Sequence, residues 1–299
     1  MKPYSSFSRI YDLCMDNVPY DEWAARITAL LRANGVPDGG IVAELGCGTG
    51  KISRRLRDAG YDVIGIDASE EMLMVAQEKE YERLADLYDD TDDDDPENES
   101  CIDSVSNIGC DPCSAPDDAP ECESADGRIT YLCQDIRSFE LYGTTAAIVS
   151  VCDTLNYLLT KEDLRKTFSL VNNYLDREGV FCFDMKTRSY YEKVLGNRVR
   201  VEDYEDATLI WDNAYDAKSG RNEYSLTMFL KDESELYARQ DELHVQMAYD
   251  LDEIRELLAE SGMTFVAAYD AYTERPATEA SERIVIIAKE GFQEQKYYG

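Results

Sequence analysis

The sequence predicts an α/β protein: an open sheet of seven strands, parallel except for a reversed last strand, with a smaller antiparallel sheet inserted ahead of its end. Three observations carry this. An apolar strand at residues 41–45 runs straight into glycines at 46, 48 and 50. Strand-like and amphipathic helical segments then alternate as far as residue 185, the order that builds a parallel sheet covered by helices. Finally, the strands 264–272 and 283–289 are joined by a link too short for a crossover helix. They must pair as a hairpin, so the last strand runs against the rest.

Each element has a local reason. Asp21 caps a helix in which Trp23, Ile27, Leu30 and Leu31 share one face, and Gly35 ends it. After the glycine loop comes a helix carrying Ile52 and Leu56, then a strand that ends in Asp67. Ser69, followed by Glu70 and Glu71, opens the next helix, because carboxylates in a first turn complement the helix dipole. Met72 falls one turn inside it. Residues 128–133 form a third strand, and 146–151 a fourth whose unbroken apolar character suits a buried parallel position. Thr160 to Asp163 reads as a capping box for a helix with Leu164, Phe168, Val171 and Leu175 on one side. The fifth strand is 180–185. From there to residue 249 the pattern becomes β-prone, at 208–215, 221–231 and 237–247, broken by the turn sequence 216–220. Leu251, Ile254, Leu257 and Leu258 mark a last helix closed by Gly262.

These readings divide the chain into a core of residues 1–185 and 250–299, an antiparallel subdomain of 186–249, and an acidic insertion of 86–126. The insertion holds 16 of the 62 acidic residues and no Lys or Arg, so half of the net charge of −32 sits there. Its low hydrophobicity and its prolines at 96, 112, 116 and 120 are the composition of a disordered loop. Within it Cys101, Cys110, Cys113 and Cys122 have the spacing C-x8-C-x2-C-x8-C, which leaves a structural metal site open beside a plain loop. The acidic remainder argues against nucleic acid or an anionic membrane as partner. Without an apolar run of signal or membrane-spanning length, the expected compartment is the cytoplasm. Nine cysteines, several in or beside strands, read as reduced thiols.

The glycine loop points to the ligand. Glycine tolerates positive φ and has no Cβ, so main-chain N–H groups there could approach a cofactor closely. The spacing is G-x-G-x-G rather than the dinucleotide G-x-G-x-x-G, and Glu44 stands just before it. A carboxylate at that point repels a pyrophosphate but suits a cofactor carrying positive charge. Asp67, twenty-one residues past Gly46, is placed to hold ribose hydroxyls. The run Glu44 to Gly50 resembles the first motif, acid-x-G-x-G-x-G, of the class I S-adenosylmethionine-dependent methyltransferases. The reversed seventh strand is a second, independent likeness, and together they imply a Rossmann-like methyltransferase sheet with S-adenosyl-L-methionine as cofactor.

The resemblance implies roles for particular residues. Gly46, Cys47 and Gly48 would cradle the methionine part, and Glu44 would orient the loop or the cofactor's amino group. Asp67 would take the ribose hydroxyls, with Ala68 and Met72 flanking the adenine. Asp135 and Ile136 would meet its amino group and ring. Met72 is equally readable as core. Phe7 to Asp12 is similar to the leading helix of small-molecule methyltransferases, in which Tyr11 closes over the cofactor or the reaction centre, or simply packs. Residues 18–23 resemble a bacterial subgroup of unassigned substrate. Cys152, Asp153, Asn156 and Tyr157 leave the fourth strand where such sheets bind ligands; Asp153, Asn156 and Tyr157 would hold the acceptor or start the next helix. His244, the single histidine, shares a face with Glu242 and Gln246. The antiparallel subdomain would be a lid, with His244 either a general base on its inner face or a solvated residue outside. The implied activity is methylation of a nitrogen or oxygen on a small molecule, with a regulatory or scaffold protein that binds the cofactor without turnover as the alternative.

Overall fold

The computed structural model describes residue 4 and residues 7–89, 127–232, 234–292 and 296. Most of the acidic insertion, including Cys101, Cys110, Cys113 and Cys122, therefore lies outside the described residues. A short helix, α1 (Ser8–Cys14), and α2 (Tyr20–Ala33) lead into β1 (Ile41–Leu45). They are followed by α3 (Lys51–Asp58), β2 (Asp62–Asp67), α4 (Glu70–Asp89), β3 (Ile129–Cys133) and β4 (Thr145–Ser150). A 3₁₀ turn (Thr154–Tyr157) precedes α5 (Lys161–Tyr174) and β5 (Leu175–Lys186). Then come a π-helical turn (Tyr190–Leu195), the strands β6 (Val199–Asp203), β7 (Ala207–Asp216), β8 (Arg221–Lys231) and β9 (Tyr237–Met247), α6 (Leu251–Glu260), β10 (Thr264–Asp270) and β11 (Arg283–Lys289).

The seven-stranded sheet has the order β10-β11-β5-β4-β1-β2-β3, and β11 is antiparallel to both of its neighbours. The expected reversed strand is thus inserted between β10 and β5. The other sheet, β6-β7-β8-β9, is antiparallel throughout. Each face of the large sheet carries its own core. On one side Leu164, Phe168 and Val171 of α5 and Ile254, Leu257 and Leu258 of α6 meet Phe181, Phe183, Ile284 and Ile286. On the other, Ile27 and Leu31 of α2 and Ile52 and Leu56 of α3 meet Val42, Val149 and Val285. Fully burying each such side chain is worth about 1.5–3 kcal/mol.

Several boundaries differ from the sequence reading. Helix α2 starts at Tyr20, so Asp21 lies in the first turn, where it pairs with Arg55 at 2.6 Å instead of capping. Helix α4 continues to Asp89, past the expected start of the insertion at residue 86. Ser69 does cap it, its Oγ accepting from the Met72 N–H at 3.2 Å. Thr160 caps α5 by accepting from the Asp163 N–H, while the reciprocal capping box sits on α6, between Asp250 and Glu253. Strand β6 and the π-helical turn have no strong periodicity and were not anticipated. Among the described residues no helix is long and apolar enough to cross a membrane.

Candidate active site

The carboxyl ends of β1, β2 and β4 converge on the glycine loop. Gly46, Gly48 and Gly50 all have positive φ, at 74°, 53° and 73°. Two of them are needed for packing. A Cβ on Gly46 would strike the Thr154 side chain, and one on Gly50 would strike the Tyr131 hydroxyl. Only Gly48 is open, with the Met72 Cε methyl 3.4 Å from the position of an added Cβ. The expectation that these N–H groups serve a ligand needs correction. Gly46 and Cys47 both donate to the Ile66 carbonyl, at 2.7 and 3.0 Å, and Gly48 donates to Asp67 at 2.8 Å. The donors are spent tying the loop to β2, so its other face is what a ligand would meet.

Asp67 also accepts from the Ser69 N–H at 2.9 Å. Burial raises its pKa, against the N–H groups of Ser69, Gly48 and Ala68 that lower it. Beside it Ala68 is exposed, while Met72 is buried against Gly48. A half-open carboxylate next to an open glycine and a methionine methyl fits a ribose with its base. Behind them Glu44 is buried and accepts from the Ser53 hydroxyl. Burial pushes its carboxyl up to about 8 despite that bond. Glu44 sits under the loop and braces α3 through Ser53. Asp135 is gripped by Arg137, whose guanidinium and N–H hold its pKa below the usual range. Ile136 is half-buried against the core.

At the end of β4 two successive residues, Cys152 and Asp153, adopt left-handed conformations with φ of 57° and 56°. Each costs of order 1–3 kcal/mol and persists only if its surroundings enforce it. Asp184, fully buried at the end of β5, does so by accepting from both N–H groups, at 3.2 and 2.7 Å. Arg283 bridges the carboxylates of Asp184 and Asp153, at 2.5 and 2.8 Å, and Lys186 reaches Asp153 at 3.0 Å. Burial alone would raise the Asp153 pKa, but Lys186 and Arg283 outweigh it and hold it low. Tyr272 also donates to Asp184, stacks on Trp23 at 4.3 Å, and so joins the 18–23 segment to the cluster.

Asn156 is fully buried, and both of its amide hydrogens are taken by the main chain. Its amide donates to the carbonyls of Lys186 and Met247, at 3.1 and 2.8 Å, and its oxygen accepts from the Lys186 N–H at 2.9 Å. It staples the 3₁₀ turn to the core and to β9, which corrects its expected catalytic role. Asp153, by contrast, accepts from the Gln246 amide of β9 at 2.7 Å. The smaller sheet therefore meets the core at the turn after β4.

His244 is buried on the inner face of that sheet with Glu242 and Gln246, which excludes the solvated alternative. Its Nε2 lies 3.1 Å from Glu242 and its Nδ1 3.2 Å from the Tyr157 hydroxyl. Glu242 also accepts from the N–H groups of Tyr4 and Phe7, at 2.8 and 3.0 Å. Tyr11 packs edge-on against Phe7 and Tyr4, at 5.5 and 6.0 Å. Asp12 fixes the other end of α1, accepting from Thr49 of the glycine loop at 2.7 Å and pairing with Lys51 and Lys79. The first helix thus crosses from the smaller sheet to the glycine loop. Asp12, Asp184, Lys186 and Arg283 were not singled out from sequence, and Glu242 only as sharing a face with His244. Asp184 and Lys186, polar residues closing an apolar strand, carried a readable signal; Asp12 carried none.

The reversed strand, the acid-led glycine loop and the carboxylate of Asp67 at the end of β2 are those of a class I S-adenosylmethionine-dependent methyltransferase. Comparison agrees: residues 42–118 match the family described as "Methyltransferase domain". Two relatives bear names beginning "Putative methyltransferase". YqeM of Bacillus subtilis (strain 168) is 30% identical over 290 residues, covering 96% of each chain. A protein of Geobacillus sp. (strain WCH70) is 27% identical, over 96% of this chain and 99% of its own. The fold is similar to that of an S-adenosylmethionine-dependent methyltransferase from Clostridium acetobutylicum ATCC 824, with 24% identity, a TM-score of 0.73, and coverage of 97% of this chain and all of that one. The chain belongs to this methyltransferase family, and S-adenosylmethionine is its cofactor.

Proposed function

We propose that the protein methylates a nitrogen or oxygen of a small molecule held between the turn after β4 and the inner face of the four-stranded sheet, residues 186–249 acting as lid. The observation that carries this is the contact of Gln246 with Asp153, beside that of His244 with Tyr157. An acceptor there is enclosed by lid, core and first helix, which suits a metabolite better than a folded protein or a duplex. The strongly acidic chain also opposes a polyphosphate partner.

When bound, the cofactor supplies an activated methyl on a sulfonium, so the protein's work is positioning and exclusion of water. In this reading Asp67 takes the ribose hydroxyls, while Gly46, Cys47 and Gly48 shape the wall beside the methionine part. Ala68, Met72 and Ile136 border the adenine, with Asp135 at its edge once Arg137 yields. Glu44 supports the loop. Tyr11 and Tyr4 seal the centre, and Cys152 and Asp153 form its floor. His244, reached through the Tyr157 hydroxyl, is the base on which the acceptor's proton comes to rest. Incubation with methyl-labelled S-adenosylmethionine and a small-metabolite extract should yield S-adenosylhomocysteine and a product heavier by one labelled methyl group. Tight cofactor binding without S-adenosylhomocysteine would favour the regulatory alternative.

A further inference from the structure

His244 has no nitrogen free for an acceptor. It is 2% exposed, its Nε2 faces a Glu242 carboxylate that is itself 4% exposed, and its Nδ1 faces the Tyr157 hydroxyl. For a neutral imidazole beside an ionised Glu242, the donors and acceptors resolve in one way. A carboxylate can only accept, so Nε2 carries the proton and Nδ1 accepts from Tyr157. The Tyr157 oxygen then takes the Tyr4 hydroxyl, at 2.7 Å, as its own donor. The chain of groups Tyr4, Tyr157, His244 and Glu242 has consistent polarity from the centre outward.

We propose that Tyr157 is the catalytic residue that touches the acceptor and relays its proton to His244, which Glu242 holds in position behind it. This rests on the reading of the site as a methyl-transfer centre. As the acceptor's lone pair forms its bond to the methyl carbon, the carbon–sulfur bond breaks and its electron pair stays on sulfur. The proton released by the acceptor passes to the Tyr157 oxygen while the phenol's proton passes to Nδ1. Burial and the neighbouring Tyr4 hold the Tyr157 pKa well above its ordinary value, so the phenol stays protonated until the transfer occurs. Tyr157 is half-buried where His244 is sealed. It stands four residues past Asp153 of the strained pair, on a turn held by Asn156 to Lys186 and Met247. That rigidity is what a relay atom needs.

The single histidine makes a direct test possible. Long-range ¹H–¹⁵N spectra of the protein bound to S-adenosylhomocysteine should show Nε2 protonated and Nδ1 as a hydrogen-bonded acceptor, with no acceptor molecule required. Tyr157→Phe should move the Nδ1 resonance toward that of an unbonded imidazole nitrogen and leave Nε2 in place; Glu242→Gln should abolish the tautomer preference. A proton on Nδ1 in the wild-type protein would overturn the relay, even if neither variant folded. Label transfer into the metabolite extract tests the underlying reading separately. Given transfer, Tyr157→Phe should slow it by about 10²-fold with cofactor affinity kept; transfer at the wild-type rate would remove Tyr157 from the relay.

Discussion

Individual side chains here do work that their neighbours in sequence do not announce. Asp67→Ala should weaken S-adenosylmethionine binding by about 1.5–3 kcal/mol, the range for hydrogen bonds to a charged group, as read by calorimetry. Because Asp67 also ties down Gly48 and Ser69, Asp67→Asn is the companion variant, and full affinity in both would remove the residue from the cofactor site. Glu44 carries a pH signature. Its carboxyl titrates near 8 in the folded chain against 4.5 as the ordinary value, so between those limits the folded state keeps a proton that the unfolded state gives up. Its contribution therefore costs nothing below the lower limit and becomes increasingly unfavourable as pH rises to the upper one, by about 1.4 kcal/mol per unit at most. Thermal melts from pH 5 to 8 should fall less steeply for Glu44→Gln than for the wild type. Arg283 answers two buried carboxylates at once. Arg283→Met should cost about 3–5 kcal/mol in denaturant melts, because Asp184 loses the cation that compensates it and Asp153 is left with Lys186 alone.

Between elements, the decisive arrangement is the first helix, pinned at one end by Glu242 of the smaller sheet and at the other by Asp12 on Thr49, Lys51 and Lys79. It lies across the glycine loop, so a cofactor entering from that side has to lift it. Asp12→Ala should raise both the association and dissociation rates of S-adenosylmethionine in stopped-flow measurements, by several-fold, with a smaller change in equilibrium affinity. Unchanged rates would mean that the cofactor enters by another route. The turn after β4 is the opposite kind of element. Asp184 and Gln246 hold it from β5 and β9, its own Asn156 ties it to backbone groups of the same two strands, and none of these contacts is local. Sequence spacing located that turn at the correct edge of the sheet, yet Asn156, expected to act on an acceptor, turns out to be consumed by backbone groups of β5 and β9.

For the molecule as a whole, replacing residues 90–125 by a short Gly-Ser linker should leave the melting temperature and cofactor affinity nearly unchanged. Closure entropy varies slowly with loop length, and the acidic composition offers little to a core. Loss of folding, or bound zinc that needs the four clustered cysteines, would assign that segment a structural role. The order of elements, the reversed strand, the acid-led glycine loop, Asp67 and the common face of Glu242, His244 and Gln246 were all legible from the chain alone, though not that this face points inward. Each depends on periodicity, spacing or link length, which neighbouring residues determine between themselves. The charge cluster and the relay were not legible. Asp153 meets Arg283 from 130 residues away, and Tyr157 meets His244 from 87. A buried charge or a sealed imidazole is tolerable only with partners, and those partners are chosen by which strands the sheet brings together. The sequence by itself determined the class of fold and the cofactor it takes. Only the tertiary structure decided which buried polar groups meet at the end of β4, because long-range pairing of polar side chains leaves no local pattern to read.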